Sequence, residues 1–330
     1  MIKNINSIQS AIEKATAFLK RKNIESPQIT AEILISHVLS ISKTELYLKL
    51  NDPISKDKFE KFWSLVVARS NNIPIQYLTK EVSFLDLKLF IKEGVFIPRP
   101  ETEILANKAI SILQNIKTND SLKSSNNKRF LVLDIGTGCG AIALSIAKEV
   151  PNCYVYATDI SEKALEIAKI NTLNLNLSNK IKFIDGYLFE PLPSDLKFSF
   201  DLIISNPPYV SVPHYKKLQP EIRKYEPKVA LLAGKDGILY HRKIISKSVD
   251  YLRKGGYLLL EIGYNQSKQI IEIVENIKTK KVSKDIEIKR VVKGIKNQSQ
   301  SSFKNKGYEI KEIVKDLSGI DRAIVLKKIR

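Results

Sequence analysis

The sequence predicts an α/β protein in which a small helical region precedes a mostly parallel, doubly wound sheet. Three observations point that way. From Arg129 onward, short apolar runs alternate with helical patterns, and buried strands separated by helices are the signature of a parallel sheet. A glycine-rich turn, Gly136 to Gly140, joins the first of these strands to a helix. Before them, the first ~75 residues carry helical rather than strand periodicity.

The elements follow in order. Ile8, Ile12, Ala15, Phe18 and Leu19 recur at helical spacing, with Ser7 placed to cap the helix. A second helix spans about Ile29 to Ser40 and sets Ile33, Leu34, His37 and Val38 on one face; a third spans about Lys56 to Arg69 and carries the only tryptophan, Trp63. Val82, Phe84, Leu87, Leu89 and Phe90 read as a hairpin. Pro98-Arg99-Pro100-Glu101-Thr102-Glu103 ends that pattern and opens a helix with Ile104, Leu105 and Ala109 on its face, and the polar Thr118–Lys128 stretch reads as a loop. Strands are expected at about Phe130–Asp134, Cys153–Thr158, Ile181–Ile184, Leu202–Ser205 and Gly256–Ile262, with helices such as Ala141–Glu149 and Glu162–Leu173 between them. Tyr308–Val314 and Ala323–Leu326, joined by Asp316-Leu317-Ser318-Gly319, are expected as an antiparallel pair closing the sheet. The stretch 278–302, rich in Lys, Ser, Asn and Gln, fits no αβ pattern and is expected to be a basic surface insertion.

Composition bounds the function. The 330 residues, 43% of them hydrophobic, supply a sizeable core and suit two domains. No run of ~18 apolar residues is present to span a membrane, and Met1-Ile2-Lys3-Asn4-Ile5 does not begin a signal peptide. The two cysteines, Cys139 and Cys153, and three histidines, His37, His214 and His241, make neither a disulfide framework nor a structural zinc site. A metal-free, cytoplasmic protein is the expectation. The net charge of +19 invites a nucleic-acid reading. Lys, Ile and Asn are abundant everywhere, however, so compositional bias accounts for the charge as readily as an acidic or RNA-containing partner does.

Chemistry concentrates at two strand ends. Leu131-Val132-Leu133-Asp134-Ile135 leads into Gly136-Thr137-Gly138-Cys139-Gly140. Glycines there permit a sharp turn and close approach to a ligand. Asp159, at the end of the next strand, is positioned to accept ribose hydroxyls. Ala141 leaves a nicotinamide dinucleotide open at this point; Gly140 and the second motif tilt the loop towards S-adenosylmethionine. Cys139 reads as a small loop residue, not a nucleophile, since no histidine is near it in sequence.

The second motif is Asn206-Pro207-Pro208-Tyr209, which ends the strand Asp201-Leu202-Ile203-Ile204-Ser205. In an open parallel sheet, ligands gather beyond the carboxyl ends of strands, and the two prolines stiffen the backbone there. An amide or aryl-amine nitrogen is a poor nucleophile because its lone pair is delocalised. The Asn206 side-chain oxygen and the Pro207 carbonyl offer two acceptors for the two N–H groups, which holds the nitrogen towards a methyl donor and favours its pyramidalisation. Tyr209 can stack on the planar group. Orientation of this kind is worth ~7–11 kcal/mol in favourable cases. No general base is evident; the nitrogen can lose its proton as methyl transfer raises its acidity.

These residues resemble the release factor glutamine methyltransferase family, the PrmC/HemK proteins. Besides Asn206–Tyr209, the resemblance includes Pro74-Ile75-Gln76-Tyr77-Leu78, Ile97 to Glu103, Phe189-Glu190-Pro191-Leu192, Glu221-x-x-x-Tyr225-Glu226-Pro227, Leu231-x-Ala233-Gly234-x-Asp236-Gly237 and Asp316-Leu317-x-Gly319-x-Asp321-Arg322. It implies a Rossmann-like class I S-adenosylmethionine-dependent methyltransferase domain with a seven-stranded sheet at 101–330, a helical substrate-binding domain at 1–75 and a connecting hairpin at 76–100. It implies as substrate the glutamine of the Gly-Gly-Gln motif in class I peptide chain release factors, met free or on the ribosome, by a monomeric enzyme with no nucleic-acid substrate. Gly136, Thr137, Gly138, Cys139, Gly140, Asp159, Leu188 and Asn206 would hold the cofactor, with Leu188 near the adenine. Asn206, Pro207, Pro208 and Tyr209 would hold the glutamine amide, with Arg99 and Glu101, within Phe96 to Glu101, lining the same pocket; Asn206, Pro207 and Tyr209 carry the catalytic roles. Departures from the family pattern are Tyr187, where relatives often have Asp, with Asp185 two positions earlier; Lys80, where relatives usually have Gly; and the 278–302 stretch.

Two other readings use the same residues. A nucleic-acid methyltransferase acting on an exocyclic amine of adenine or guanine would suit the bracket and the charge, but no base-reading segment is recognisable. A non-catalytic cofactor-binding adaptor is disfavoured by the intact Asn206–Tyr209 motif.

Overall fold

A computed structural model describes residues 7–121, 129–276 and 307–329. The expected 278–302 insertion lies outside the described residues, as do residues 122–128 of the loop expected at 118–128; residues 118–121 are helical instead, the end of a helix that runs to Ser121. The chain forms two compact units: Met1–Val82 with Ile91–Glu93 and Leu218–Glu226, and Ser83–Phe90 with Gly94–Lys217 and Pro227–Arg330.

The first unit is helical. It contains α1 (Ile8–Arg21), α2 (Pro27–Leu39), α3 (Lys43–Leu48), α4 (Lys56–Ser70) and α5 (Ile75–Thr79). Ser7 caps α1 in a reciprocal box with Ser10, Ser42 does the same for α3 with Glu45, and Ser55 caps α4; each satisfies amide donors that a helix start leaves open. Ala11, Ala15, Leu19, Ala31, Leu34, Ile35, Leu46, Phe62 and Val66 form the dry centre of the bundle. The face expected for α2 is corrected here. Ile33 and His37 are exposed, and Ala31, Leu34 and Ile35 are buried instead. That helix is apolar on more than one side, so its pattern alone did not select the buried face. The helix Pro220–Tyr225 also belongs to this unit: Glu221 pairs with the buried Arg69 at 2.6 Å, and the Tyr225 hydroxyl donates to the Asn71 carbonyl at 3.0 Å.

The chain then makes the hairpin β1 (Glu81–Phe84) and β2 (Leu87–Phe90) and the long helix α6 (Pro100–Ser121). Pro100 stands in the first turn of α6, where its missing N–H costs nothing. The second unit holds a seven-stranded sheet of β3 (Phe130–Ile135), β4 (Cys153–Asp159), β5 (Ile181–Asp185), β6 (Phe200–Ser205), β7 (Leu252–Glu261), β8 (Tyr308–Lys315) and β9 (Asp321–Lys328), in the order β5-β4-β3-β6-β7-β9-β8. Strands β3 to β7 pair in parallel, whereas β9 runs antiparallel to both β7 and β8. The closing pair is thus as the sequence predicts. Helices α7 (Ala141–Glu149), α8 (Glu162–Asn174), α9 (Val212–Tyr215), α10 (Pro220–Tyr225, described above) and α11 (Leu239–Ser248) complete the order, and residues 267–276 are helical.

β7 begins four residues before the expected Gly256. A register shift opposite Phe200 and Leu202 accommodates Gly255 at φ +77° and Gly256. A β-carbon on Gly256 would lie 3.0 Å from the Phe200 carbonyl oxygen, so the bulge requires glycine. The chain order reverses at β3, whose neighbours are β4 and β6. Both motifs therefore lie at the carboxyl edge beside this switch point, where open α/β sheets bind ligands.

Candidate active site

The glycine turn is built as a ligand cradle. Gly136, Gly138 and Gly140 have φ values of +72°, +60° and +89°, in the left-handed region that side chains resist. A β-carbon at Gly136 or Gly138 would meet nothing within 4 Å, while one at Gly140 would come within 3.0 Å of the Leu144 side chain. The first two glycines thus leave open space for a ligand, and the third lets α7 pack. The Gly136 and Thr137 amides donate to the Thr158 carbonyl at 2.8 and 3.0 Å. The Gly138 amide donates to Asp159 at 2.8 Å, and Ser161 donates to the other oxygen of that carboxylate at 2.9 Å. Burial holds the Asp159 carboxyl above its ordinary range.

Beneath the loop, Asp134 is fully buried and accepts from the Thr137 hydroxyl at 2.7 Å. Burial, opposed by that hydrogen bond, pushes its pKa up to about 7. Cys139 is buried, and burial pushes its thiol up to about 12, which favours the inert thiol form over a reactive thiolate. Leu188 sits at φ +51°, and its carbonyl accepts from the Thr158 hydroxyl at 3.2 Å. Asp185 is exposed beside Asp159 in register. Tyr187 instead faces Lys243, whose ammonium donates to its hydroxyl at 2.8 Å. An open, glycine-lined turn flanked by a carboxylate fits a nucleoside-bearing cofactor.

Asn206 to Tyr209 leave β6 in irregular conformation, with Pro207 buried and the other three half-buried. The Ser205 hydroxyl donates to the Ile135 carbonyl at 2.7 Å, locking the ends of β6 and β3 together. The Asn206 side-chain N–H donates to the Thr102 hydroxyl at 3.0 Å. Tyr209 is held at both ends. Its hydroxyl donates to the Glu261 carboxylate, and its carbonyl accepts from the Gln266 amide at 3.0 Å. Gln266 also donates to the Gly237 carbonyl at 3.2 Å and accepts from the Gly263 amide at 2.9 Å. β-Carbons at Gly237 and Gly263 would come within 2.6 Å of the Tyr209 carbonyl oxygen and 2.9 Å of its ring, respectively. Val210 pairs with Leu232, through amide bonds of Val210 to the Leu231 carbonyl and of Ala233 to the Val210 carbonyl. The Leu231–Gly237 motif is therefore the backing of the bracket.

Arg99 and Glu101 sit on the same edge. The Arg99 guanidinium lies 5.0 Å from the Phe96 ring centre, and its charge acts on Tyr209. Glu101 faces Arg322 at 3.5 Å, and Arg322 in turn pairs with Asp316 at 2.7 Å. Thr102, Glu261 and Gln266 escaped the reading of the sequence. Thr102 lay inside a motif already quoted, but Glu261 lay within the strand expected at Gly256–Ile262 and Gln266 just beyond it, with no local pattern to mark either. Among the described residues, no group of His, Cys, Asp and Glu could hold a metal ion, and no helix is long and apolar enough to cross a membrane.

Comparison with known proteins now bears on this geometry. The PrmC N-terminal domain model matches residues 10–79 and a methyltransferase domain model matches 126–315. Release factor glutamine methyltransferase from Rhodopirellula baltica is 33% identical, covering 98% of this chain and 96% of its own. The chain belongs to the release factor glutamine methyltransferase family. The relative from Clostridium acetobutylicum is 35% identical across 82% of this chain and 90% of its own, and that from Fusobacterium nucleatum 33% across 96% and 77%. The family is S-adenosylmethionine-dependent, and the open glycine turn with Asp159 accords with that cofactor.

Proposed function

We infer that this chain transfers the methyl group of S-adenosylmethionine to the side-chain amide nitrogen of a glutamine, that of the Gly-Gly-Gln motif in class I peptide chain release factors. The observation that carries this reading is the stiff Asn206–Tyr209 bracket at the end of β6, beside the glycine turn of β3 across the switch point. Gly136 to Gly140, Asp159 and Leu188 would hold the cofactor, whose sulfonium supplies an activated methyl group. The Asn206 oxygen and the Pro207 carbonyl would accept the two amide hydrogens and aim the nitrogen. Tyr209 would cover the planar group, its hydroxyl held by Glu261 and its backbone carbonyl by Gln266. Arg99 and Glu101 would line the entrance for the glutamine-bearing loop. The helical unit would dock the rest of the release factor, free or on the ribosome, with the enzyme acting as a monomer.

The test offers labelled S-adenosylmethionine with a class I release factor, tRNA, rRNA or DNA. Label is expected on the release factor glutamine alone; label on nucleic acid alone overturns the reading. Asn206→Ala is expected to lower kcat roughly 100-fold or more, the scale of a lost orienting acceptor, while cofactor affinity changes less than about threefold.

A further inference from the structure

We propose that Glu261, acting through Thr102, is a positioning residue that sets which way the Asn206 amide faces. The proposal rests on the reading of Asn206 as the acceptor for the substrate amide. Glu261 ends β7 and is buried, with 3% of its surface exposed. Its carboxylate accepts from the hydroxyls of Thr102, in the first turns of α6, and of Tyr209, just beyond β6. Its second oxygen, Oε2, is buried with no hydrogen-bond partner among the described residues. Thr102 is equally enclosed, at 2% exposure.

A hydroxyl has one proton to give. Thr102 gives it to Glu261, and so can only accept from Asn206, which donates Nδ2–H to it at 3.0 Å. The opposite flip of Asn206 would set its oxygen against a hydroxyl oxygen with no proton left to offer, an unfavourable arrangement at a half-buried amide against the buried Thr102. One amide face is therefore fixed on Thr102, and Oδ1 is turned away, free to accept from a substrate N–H. The carboxylate form is the one that fixes this polarity. A protonated Glu261 can donate to Thr102, which then has its own proton free for either atom of Asn206, and the preference is lost.

The groups around Glu261 are compatible with titration. Burial raises its pKa to about 7, the hydroxyls of Thr102 and Tyr209 oppose that, Glu101 raises it and Arg322 lowers it. His241 from α11 contacts the Glu261 carbonyl at 2.8 Å and is held neutral, its pKa lowered by burial to about 4. Because the active form is the carboxylate, kcat is expected to rise with pH through about 7 and level above it.

The experiment compares wild type with Glu261→Gln, Thr102→Val, Thr102→Ser, Glu261→Gln/Thr102→Val and Asn206→Ala at saturating cofactor and release factor, with cofactor affinity and thermal midpoint recorded for each. Glu261→Gln and Thr102→Val are expected to lower kcat roughly 10- to 100-fold, with cofactor affinity unchanged. Thr102→Ser, which keeps the hydroxyl, is expected to stay within about threefold of wild type. The double variant is expected to be no slower than Thr102→Val, since both changes break one relay. The low-pH limb of kcat should be smaller in Glu261→Gln than in wild type; Asp134, also raised to about 7, is present in both proteins, so the difference between the two limbs reads Glu261 alone. Wild-type turnover in Thr102→Val, additive losses in the double variant, or an unchanged pH limb overturns the proposal. Should Glu261→Gln not fold, the Thr102 pair carries the test alone. An active Asn206→Ala refutes the site assignment itself, whereas an inactive one beside a fully active Thr102→Val refutes only the relay.

Discussion

Lys80 occupies a position built for glycine. It follows α5 at φ +58°, in the left-handed region, where a β-carbon costs ~1–2 kcal/mol. Glycine would remove that strain but gain freedom in the unfolded chain, which offsets ~0.5–1 kcal/mol. Lys80→Gly is therefore expected to raise the thermal midpoint by ~1–2 °C with turnover unchanged; a lower midpoint would contradict this. The same position shows what a sequence makes legible at this scale. A family pattern exposes the misfit at Lys80, and local motifs expose Asn206, Tyr209 and the three glycines of the turn. Thr102 and Glu261 stand 159 positions apart, and the hydroxyl-to-carboxylate bond between them exists only once α6 and β7 meet. No local pattern encodes such a pair, because its meaning lies in a partner that the fold supplies.

Elements were legible where one signal dominated. Strands β3, β4 and β6, largely buried and apolar, stood out, and so did α7, which begins at a glycine turn. Helix α2 was found but misoriented, since Ile29, Ile33, Leu34 and Ile35 surround it and only packing decides which are covered. Helices α3 and α5, of six and five residues, are too short to show a period. The Leu231–Gly237 segment was quoted as a motif without a reason; its reason is the carbonyl of Tyr209. Gly237, at φ +82°, would place a β-carbon 2.6 Å from that oxygen and 2.8 Å from Gln266. Gly237→Ala is expected to displace the bracket and lower kcat roughly 10- to 100-fold, as small misplacements do, with cofactor affinity near wild type. Gly255→Ala is the matched control. It also has positive φ, at +77°, but meets nothing within 4 Å, so it should cost stability and leave kcat unchanged. Equal turnover losses in the two would deny the bracket its backing role.

Charge acts at the scale of the whole molecule. The net +19 is spread along the chain, and the 278–302 stretch holds eight Lys and Arg against two Asp and Glu, a +6 share. Every residue assigned to the cofactor or the glutamine lies outside that stretch. Positive charge over the whole surface speeds encounter with an acidic or RNA-bearing partner, and its reach shrinks to about 8–10 Å near physiological salt. On the proposed reading the chemical step takes place at groups fixed by hydrogen bonds and at least half-buried, which salt reaches less than it reaches the open surface. Raising ionic strength is therefore expected to raise KM for the release factor and to leave kcat constant. Deleting residues 278–302 is expected to keep kcat within about twofold, since positioning rather than encounter sets it, and to flatten the salt dependence of KM. A deletion variant that keeps its thermal midpoint but loses turnover would assign this stretch a part in catalysis. An unchanged salt slope would place the steering charge elsewhere, on Lys and Arg side chains outside residues 278–302.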